Sequence, residues 1–173
     1  AQSPYASSKI AADQLSLSYY SSFDMPIKIV RPFNTYGPRQ SMRAIIPSII
    51  NQCLNDFKEV QLGNLKPTRD FTYVEDTCNA FLEIYKKSYF FGNVVNVGNN
   101  NEISIKDLFE KISNLLNVNK KIKTEKIRIR PKKSEVMQLN CNNNKLLNKT
   151  NWKPKNNIEQ GLKKTIDWFK KNN

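Results

Sequence analysis

The chain has 173 residues, of which 39% are hydrophobic and 25% charged, and its formal net charge is +13. That balance suits one ordinary globular core; no apolar run approaches the ~20 residues of a membrane span, and no signal-peptide pattern appears. Histidine is absent, which excludes Ser-His-Asp and Cys-His nucleophile systems, His-ligated metals and histidine acid–base catalysis.

Ser3 is a good N-cap and Pro4 suits the first helical position, so a helix is expected over 4–22. Tyr5, Lys9, Ala12, Leu15 and Tyr19 recur on one face of it, apolar apart from the lysine. Asp24-Met25-Pro26 ends that helix, and 27–30 reads as a short buried strand of a parallel sheet. Residues 34–39 form a loop at its carboxyl end, where open α/β sheets bind ligands. Pro47 is expected to open a helix over 47–55, with Ile45 and Ile46 packing ahead of it. Short strands at 60–62 and 71–74 flank the loop 63–70. Glu75 and Asp76 then fall in the first turn of a helix to about residue 87, where acids suit the helix dipole. Ala80, Phe81, Ile84 and Tyr85 are its expected buried face.

Residues 93–98 read as a further sheet strand. Ser104 caps a helix to about residue 117 with a wide apolar stripe, Ile105, Leu108, Phe109, Ile112, Leu115 and Leu116. Extended segments follow near 120–130 and 135–139, then a short helix over 143–149. Asn157 caps a last helix whose core face is Ile158, Leu162, Ile166 and Phe169. No internal repeat or low-complexity linker stands out.

Without histidine, a general base must be Tyr, Lys, Asp, Glu or a thiolate. Tyr5 and Lys9 lie four residues apart on the opening helix, hence side by side. A tyrosine ionises near pH ~10, and an adjacent ammonium favours the phenolate, as proton transfer near neutrality requires. Alone, this spacing also fits a packed tyrosine and a solvated lysine.

Two further stretches give the spacing a context: 31–39, Arg-Pro-Phe-Asn-Thr-Tyr-Gly-Pro-Arg, and 69–76, Arg-Asp-Phe-Thr-Tyr-Val-Glu-Asp. With Ser3-Pro4-Tyr5 to Lys9 in front, the set resembles the extended short-chain dehydrogenase/reductases that modify nucleotide-activated sugars. The resemblance runs from about Gln2 to the last helix and is strongest to NAD-dependent 4,6-dehydratases and 4-epimerases. The wording from Leu62 to Phe71 is most similar to UDP-N-acetylglucosamine 4,6-dehydratases of nonulosonate synthesis.

The resemblance implies that Tyr5 takes the proton from the sugar 4-hydroxyl while hydride passes to NAD, and that Lys9 assists it and holds the nicotinamide ribose. Phe33 would line the nicotinamide pocket, or serve as a core aromatic. Asn34 would contact the substrate's diphosphate side, or cap its loop. Arg69 would bind the diphosphate, which suits a guanidinium, or pair with Asp70 on the surface. Arg130 matches a second nucleotide-side arginine, with Arg128 close enough to compete. Tyr36-Gly37-Pro38 reads as turn architecture, and Asp76 as a structural helix charge rather than a catalytic acid.

The family opens with a strand, a glycine-rich turn and a helix that holds the dinucleotide pyrophosphate. The five glycines here, 37, 63, 92, 98 and 161, do not form that turn. The expected fold class is therefore α/β, the C-terminal part of a Rossmann-type parallel sheet domain plus a smaller mixed α/β substrate-binding domain. Residues 1–39 and 70–98 would belong to the NAD-binding part, and 40–69 and 99–173 to the nucleotide-sugar part. The expected activity is that of an NAD-dependent UDP-sugar 4,6-dehydratase, with a 4-epimerase or an inactive sugar-nucleotide-binding fragment as alternatives. The resemblance also implies a homodimer for the complete enzyme. Cys53, Cys78 and Cys141 lack metal-ligand spacing and read as reduced thiols of a cytoplasmic protein, Cys53 and Cys78 in the core. The lysines are scattered among asparagines rather than clustered, so neither nucleic acid nor membrane is an expected partner.

Overall fold

A computed structural model describes residues 1–172. In chain order the elements are α1 (Pro4–Phe23), β1 (Ile29–Pro32), β2 (Thr35–Tyr36), α2 (Ile45–Leu54), β3 (Glu59–Leu62), β4 (Thr68–Asp70), β5 (Thr72–Tyr73) and α3 (Val74–Tyr85). They continue as β6 (Val94–Val97), β7 (Glu102–Ser104), α4 (Ile105–Leu116), β8 (Lys121–Thr124), β9 (Gln138–Leu139), α5 (Asn144–Lys149) and α6 (Ile158–Asn172). The fold is mixed α/β. The pairs β1–β6, β2–β5 and β3–β8 are parallel, and β4 lies between antiparallel β7 and parallel β9. Among the described residues no helix is long and apolar enough to cross a membrane.

The helix ends follow their capping chemistry. Ser3 Oγ accepts from Ala6 N at 3.1 Å, and Ser104 Oγ from Asp107 N at 3.0 Å. Asn157 and Gln160 exchange side chain-to-backbone bonds across the first turn of α6, a reciprocal cap. The expected loop 63–70 contains strand β4 at Thr68–Asp70, which pairs with β7 and β9, and two starts shift for identifiable reasons. Strand β1 begins at Ile29 rather than at 27, because Ile27 N is taken by Met25 O in a turn and Ile29 N is the first to reach Asn93 O. Helix α2 begins at Ile45, two residues before Pro47, since proline is tolerated anywhere in the first turn.

Two buried clusters hold the chain together. The larger packs Ile46, Ile49 and Ile50 of α2 against Leu108 and Ile112 of α4 and Leu162 and Ile166 of α6. The smaller packs Ala80 and Ile84 of α3 on Val95 and Val97 of β6, with Leu146 and Trp152 closing it. Helix α3 therefore buries a narrower face than its sequence suggests. Phe81 and Tyr85 are 44% and 80% exposed and Cys78 is exposed, because the buried face of α3 runs through residues 76, 77, 80 and 84 while 78, 81 and 85 turn away. Cys53 is buried as expected, and all three cysteines are free thiols. Helix α1 contains no buried residue at all. It is tied down by Arg31 Nε on Asp13 Oδ2 at 2.6 Å and by Tyr20, whose ring occupies the space beside Gly92.

The smaller cluster is locked by a buried carboxylate. Asp76 is fully buried and accepts from the backbone N–H groups of Lys155 and Asn156, at 2.9 and 3.0 Å, and from Asn156 Nδ2. Its own carbonyl accepts from Trp152 Nε1 at 2.9 Å. The structural reading of Asp76 thus acquires a specific partner, the segment entering α6. Asp76→Ala would leave two backbone donors unpaired, and we expect a loss of about 3 kcal/mol of unfolding free energy. Urea unfolding checks this; a loss below about 0.5 kcal/mol, the range of neutral surface changes, would contradict it.

Candidate functional site

Side chains alternate along a strand, and β4 uses that alternation to place two adjacent charges on opposite sides. Asp70 faces inward with no exposure, and its oxygens accept from Asn99 N at 3.0 Å, Asn100 N at 2.8 Å and Cys141 N at 3.1 Å. Burial raises its pKa, while these amides favour the carboxylate. Arg69 faces the other way, into a cleft of about 420 Å³. The two are therefore not an ion pair. Arg69 instead donates through Nη1 to Thr68 O at 2.7 Å and through Nη2 to Glu135 Oε1 at 3.3 Å.

The cleft collects residues far apart in sequence: Asn34, Arg43, Arg69, Arg128, Arg130 and Glu135 are among its lining. Four guanidinium groups and one carboxylate make it strongly cationic, a surface suited to a multivalent oxyanion. Asn34 sits just past β1, where its Nδ2 donates to Asp70 O at 3.1 Å and its carbonyl accepts from Thr72 N at 3.2 Å. It thus stitches the loop to β4 and β5 as well as facing the cleft. Arg128 reaches the cleft because the turn 126–128 lies against Gly63, where any Cβ would overlap the Arg128 carbonyl. Its Nε donates to Glu125 at 2.8 Å, whereas Arg130 has no ion pair among the described residues.

Tyr5 and Lys9 are adjacent on α1, with the Lys9 ammonium 5.5 Å from the centre of the Tyr5 ring. They do not line the cleft. Tyr5 is 71% exposed and Lys9 is exposed beside it, so phenol and ammonium are both open to a ligand. Phe33 is half-buried, extends the β1–β6 ladder through its N–H to Val97 O, and does not line the cleft. The structure therefore brings Asn34, Arg69 and Arg130 together and leaves Tyr5, Lys9 and Phe33 outside that group. Tyr36 is core: its hydroxyl donates to Ile158 O at 3.2 Å, and burial raises its pKa so that it stays protonated.

Three cleft residues carry no signal in sequence reading. Arg43 lies in a polar stretch with no motif, and Gln40 shows its role only through the bond from its Nε2 to Thr35 O. Glu135 depends on the register of β9, which pairs Arg69 with Leu139.

The chain matches the GDP-mannose 4,6 dehydratase family over residues 1–165. It is 31% identical over 172 residues to human dTDP-D-glucose 4,6-dehydratase, covering 98% of this chain and 49% of that protein. The crystal structure of dTDP-glucose 4,6-dehydratase from Bacillus anthracis in complex with NAD superposes with a TM-score of 0.89 at 34% identity, covering 98% of this chain and 53% of that one. UDP-glucuronic acid 4-epimerase from Bacillus cereus, in complex with UDP-glucuronic acid and NAD, gives a TM-score of 0.89 at 27% identity, covering 99% and 54%. The chain spans about half the length of these relatives. On the family match it belongs to the GDP-mannose 4,6 dehydratase family, a branch of the extended short-chain dehydrogenase/reductases.

Proposed function

We propose that the chain supplies the tyrosine–lysine pair and the nucleotide-sugar cleft of an NAD-dependent nucleotide-sugar 4,6-dehydratase acting on a UDP-linked sugar. The observation that carries this reading is the convergence of Asn34, Arg69 and Arg130 on one cationic cleft. In it, Arg69 and Arg130 hold the diphosphate through charge-assisted hydrogen bonds, and the free amide hydrogen of Asn34 supports it. Arg130 is favoured over Arg128 because Arg128 is engaged by Glu125.

We take the exposed phenol and ammonium of Tyr5 and Lys9 to meet the nicotinamide-ribose end of NAD, and Phe33, just past β1, to line the nicotinamide pocket. NAD, when bound, takes up the hydride from sugar C4. Tyr5 as phenolate receives the proton of the 4-hydroxyl, so that a carbonyl forms at C4 with its charge balanced. Lys9 stabilises that phenolate and donates to the ribose hydroxyls. Elimination of water across C5 and C6 then follows in a dehydratase. A 4-epimerase shares the oxidation step, and the likeness to the Bacillus cereus epimerase favours it as the second reading.

The two clusters support a division into an NAD-binding part, 1–39 and 70–98, and a nucleotide-sugar part, 40–69 and 99–173. The clusters cross that division in both directions: Leu146 and Trp152 pack on the sheet side, and Tyr36, Phe71 and Tyr73 pack into the larger cluster with α2, α4 and α6. The unburied Leu15 and Tyr19 of α1 support a homodimer in which this helix meets a second copy. Three free thiols support a cytoplasmic enzyme.

In the complete enzyme, Tyr5→Phe removes the proton acceptor and should cost roughly 10²–10⁴-fold in turnover with unchanged UDP affinity. Product formation followed by NMR decides it, and turnover within about threefold of wild type would show another group to be the base. Arg69→Ala should weaken UDP binding roughly 10- to 100-fold, the cost of a hydrogen bond to a charged group. Calorimetry with UDP tests this, and an unchanged affinity would remove Arg69 from the diphosphate site.

A further inference from the structure

The cleft contains one acid among four arginines, and that acid lies against the arginine most withdrawn from solvent. The side chains of Arg69 and Glu135 are 15% and 12% exposed, whereas Arg43, Arg128 and Arg130 are exposed residues. Glu135 is delivered there by a turn in which Ser134 N and Oγ both donate to Pro131 O, immediately ahead of β9. Because β9 runs beside β4, that turn sets the carboxylate next to the Arg69 guanidinium.

We infer that Glu135 is a positioning residue for nucleotide diphosphate binding, acting through Arg69. This rests on the diphosphate reading of the cleft proposed above. Two anchors hold the guanidinium: Thr68 O on Nη1 and Glu135 Oε1 on Nη2. The contact to Glu135 is through one oxygen and one nitrogen, so Nε–H and one hydrogen on each terminal nitrogen remain available to phosphate oxygens. An unanchored arginine loses much rotamer freedom when it binds, and one already fixed loses little. Burial foremost, and then the Arg130 charge, disfavour the Arg69 cation, and the Glu135 carboxylate works against both. The opposite role would be that of a competitor, an internal anion that diphosphate must displace. The single-edge contact argues against it, because the phosphate-facing donors are not covered.

The test is a double-mutant cycle on the complete enzyme, with UDP and uridine as ligands and melting temperature as a control. Glu135→Ala should weaken UDP binding about tenfold while leaving uridine binding unchanged, since uridine carries no phosphate for Arg69 to meet. Glu135→Gln keeps an acceptor oxygen in place and should restore affinity to within about threefold of wild type. In an Arg69→Ala background, Glu135→Ala should have no further effect. Should Glu135→Ala fail to fold, Glu135→Met, of similar length but without an acceptor, carries the same expectation. Unchanged or tighter UDP binding by Glu135→Ala overturns the inference, as does an equal loss in both backgrounds or an equal loss for uridine. If Arg69→Ala alone binds UDP normally, the diphosphate reading itself falls and this inference with it. A weakened Arg69→Ala beside an unaffected Glu135→Ala would instead retain that reading and reject only the role of Glu135.

Discussion

Asp70 is fully buried, yet among the described residues no cation neutralises it; backbone N–H groups from Asn99, Asn100 and Cys141 converge on its two oxygens instead. Removing a carboxylate from water is costly unless donors replace its hydration, and here the chain supplies them from two separate segments. The consequence is geometric. The segments at 99–100 and 141 are tied to the inner side of β4, so the outer side has a fixed orientation. Arg69 is the next residue on that strand, and its position in the cleft depends on what Asp70 holds behind it. The Asp70 charge also acts on the neighbouring Cys141 thiol: burial first, and then this charge, push its pKa up to about 12. The thiol stays protonated and inert.

The same device recurs six residues later. Asp76 gathers the backbone of Lys155 and Asn156, and Tyr36 hydrogen-bonds the carbonyl of Ile158, so two groups from the β5–α3 and β2 regions fix the entry of α6. Gly161 allows this closeness, because any side chain there would overlap the Tyr36 hydroxyl. Buried carboxylates and a buried phenol thus organise backbone, while the arginines that carry the site's charge stay at the surface of the cleft. This division of labour accounts for how a chain with a net charge of +13 gathers one strongly cationic cleft. Most of its lysines are spread over solvent, and four guanidinium groups share the cleft.

Much of this was legible in the sequence where the causes are local. Ser3, Ser104 and Asn157 cap the helices expected of them, because an N-cap acts within three residues. The Asp70 ion pair considered for Arg69 is excluded only in three dimensions. Arg69 and Asp70 are adjacent in sequence, but on a strand adjacency means opposite faces, so the ion pair that seemed local could not form. Its actual partner, Glu135, is 66 residues away. Periodicity likewise overstated the buried face of α3. Phe81 and Tyr85 obey the helical repeat, yet the sheet beneath is too narrow among the described residues to cover them. The stripe on α1 shows the same limit, since a pattern reports that a face is apolar and says nothing of what covers it.

The central claim is that the cleft around Arg69 binds the diphosphate while the Tyr5–Lys9 pair addresses the sugar C4 hydroxyl. A crystal structure of the complete enzyme with a UDP-sugar and NAD measures both at once. The account predicts diphosphate oxygens within hydrogen-bond distance of Arg69 and Arg130, and Tyr5 Oη about 2.6–3.2 Å from the 4-hydroxyl, the reach of a general base. A diphosphate bound elsewhere, or a sugar whose 4-hydroxyl meets a group other than Tyr5, would contradict it.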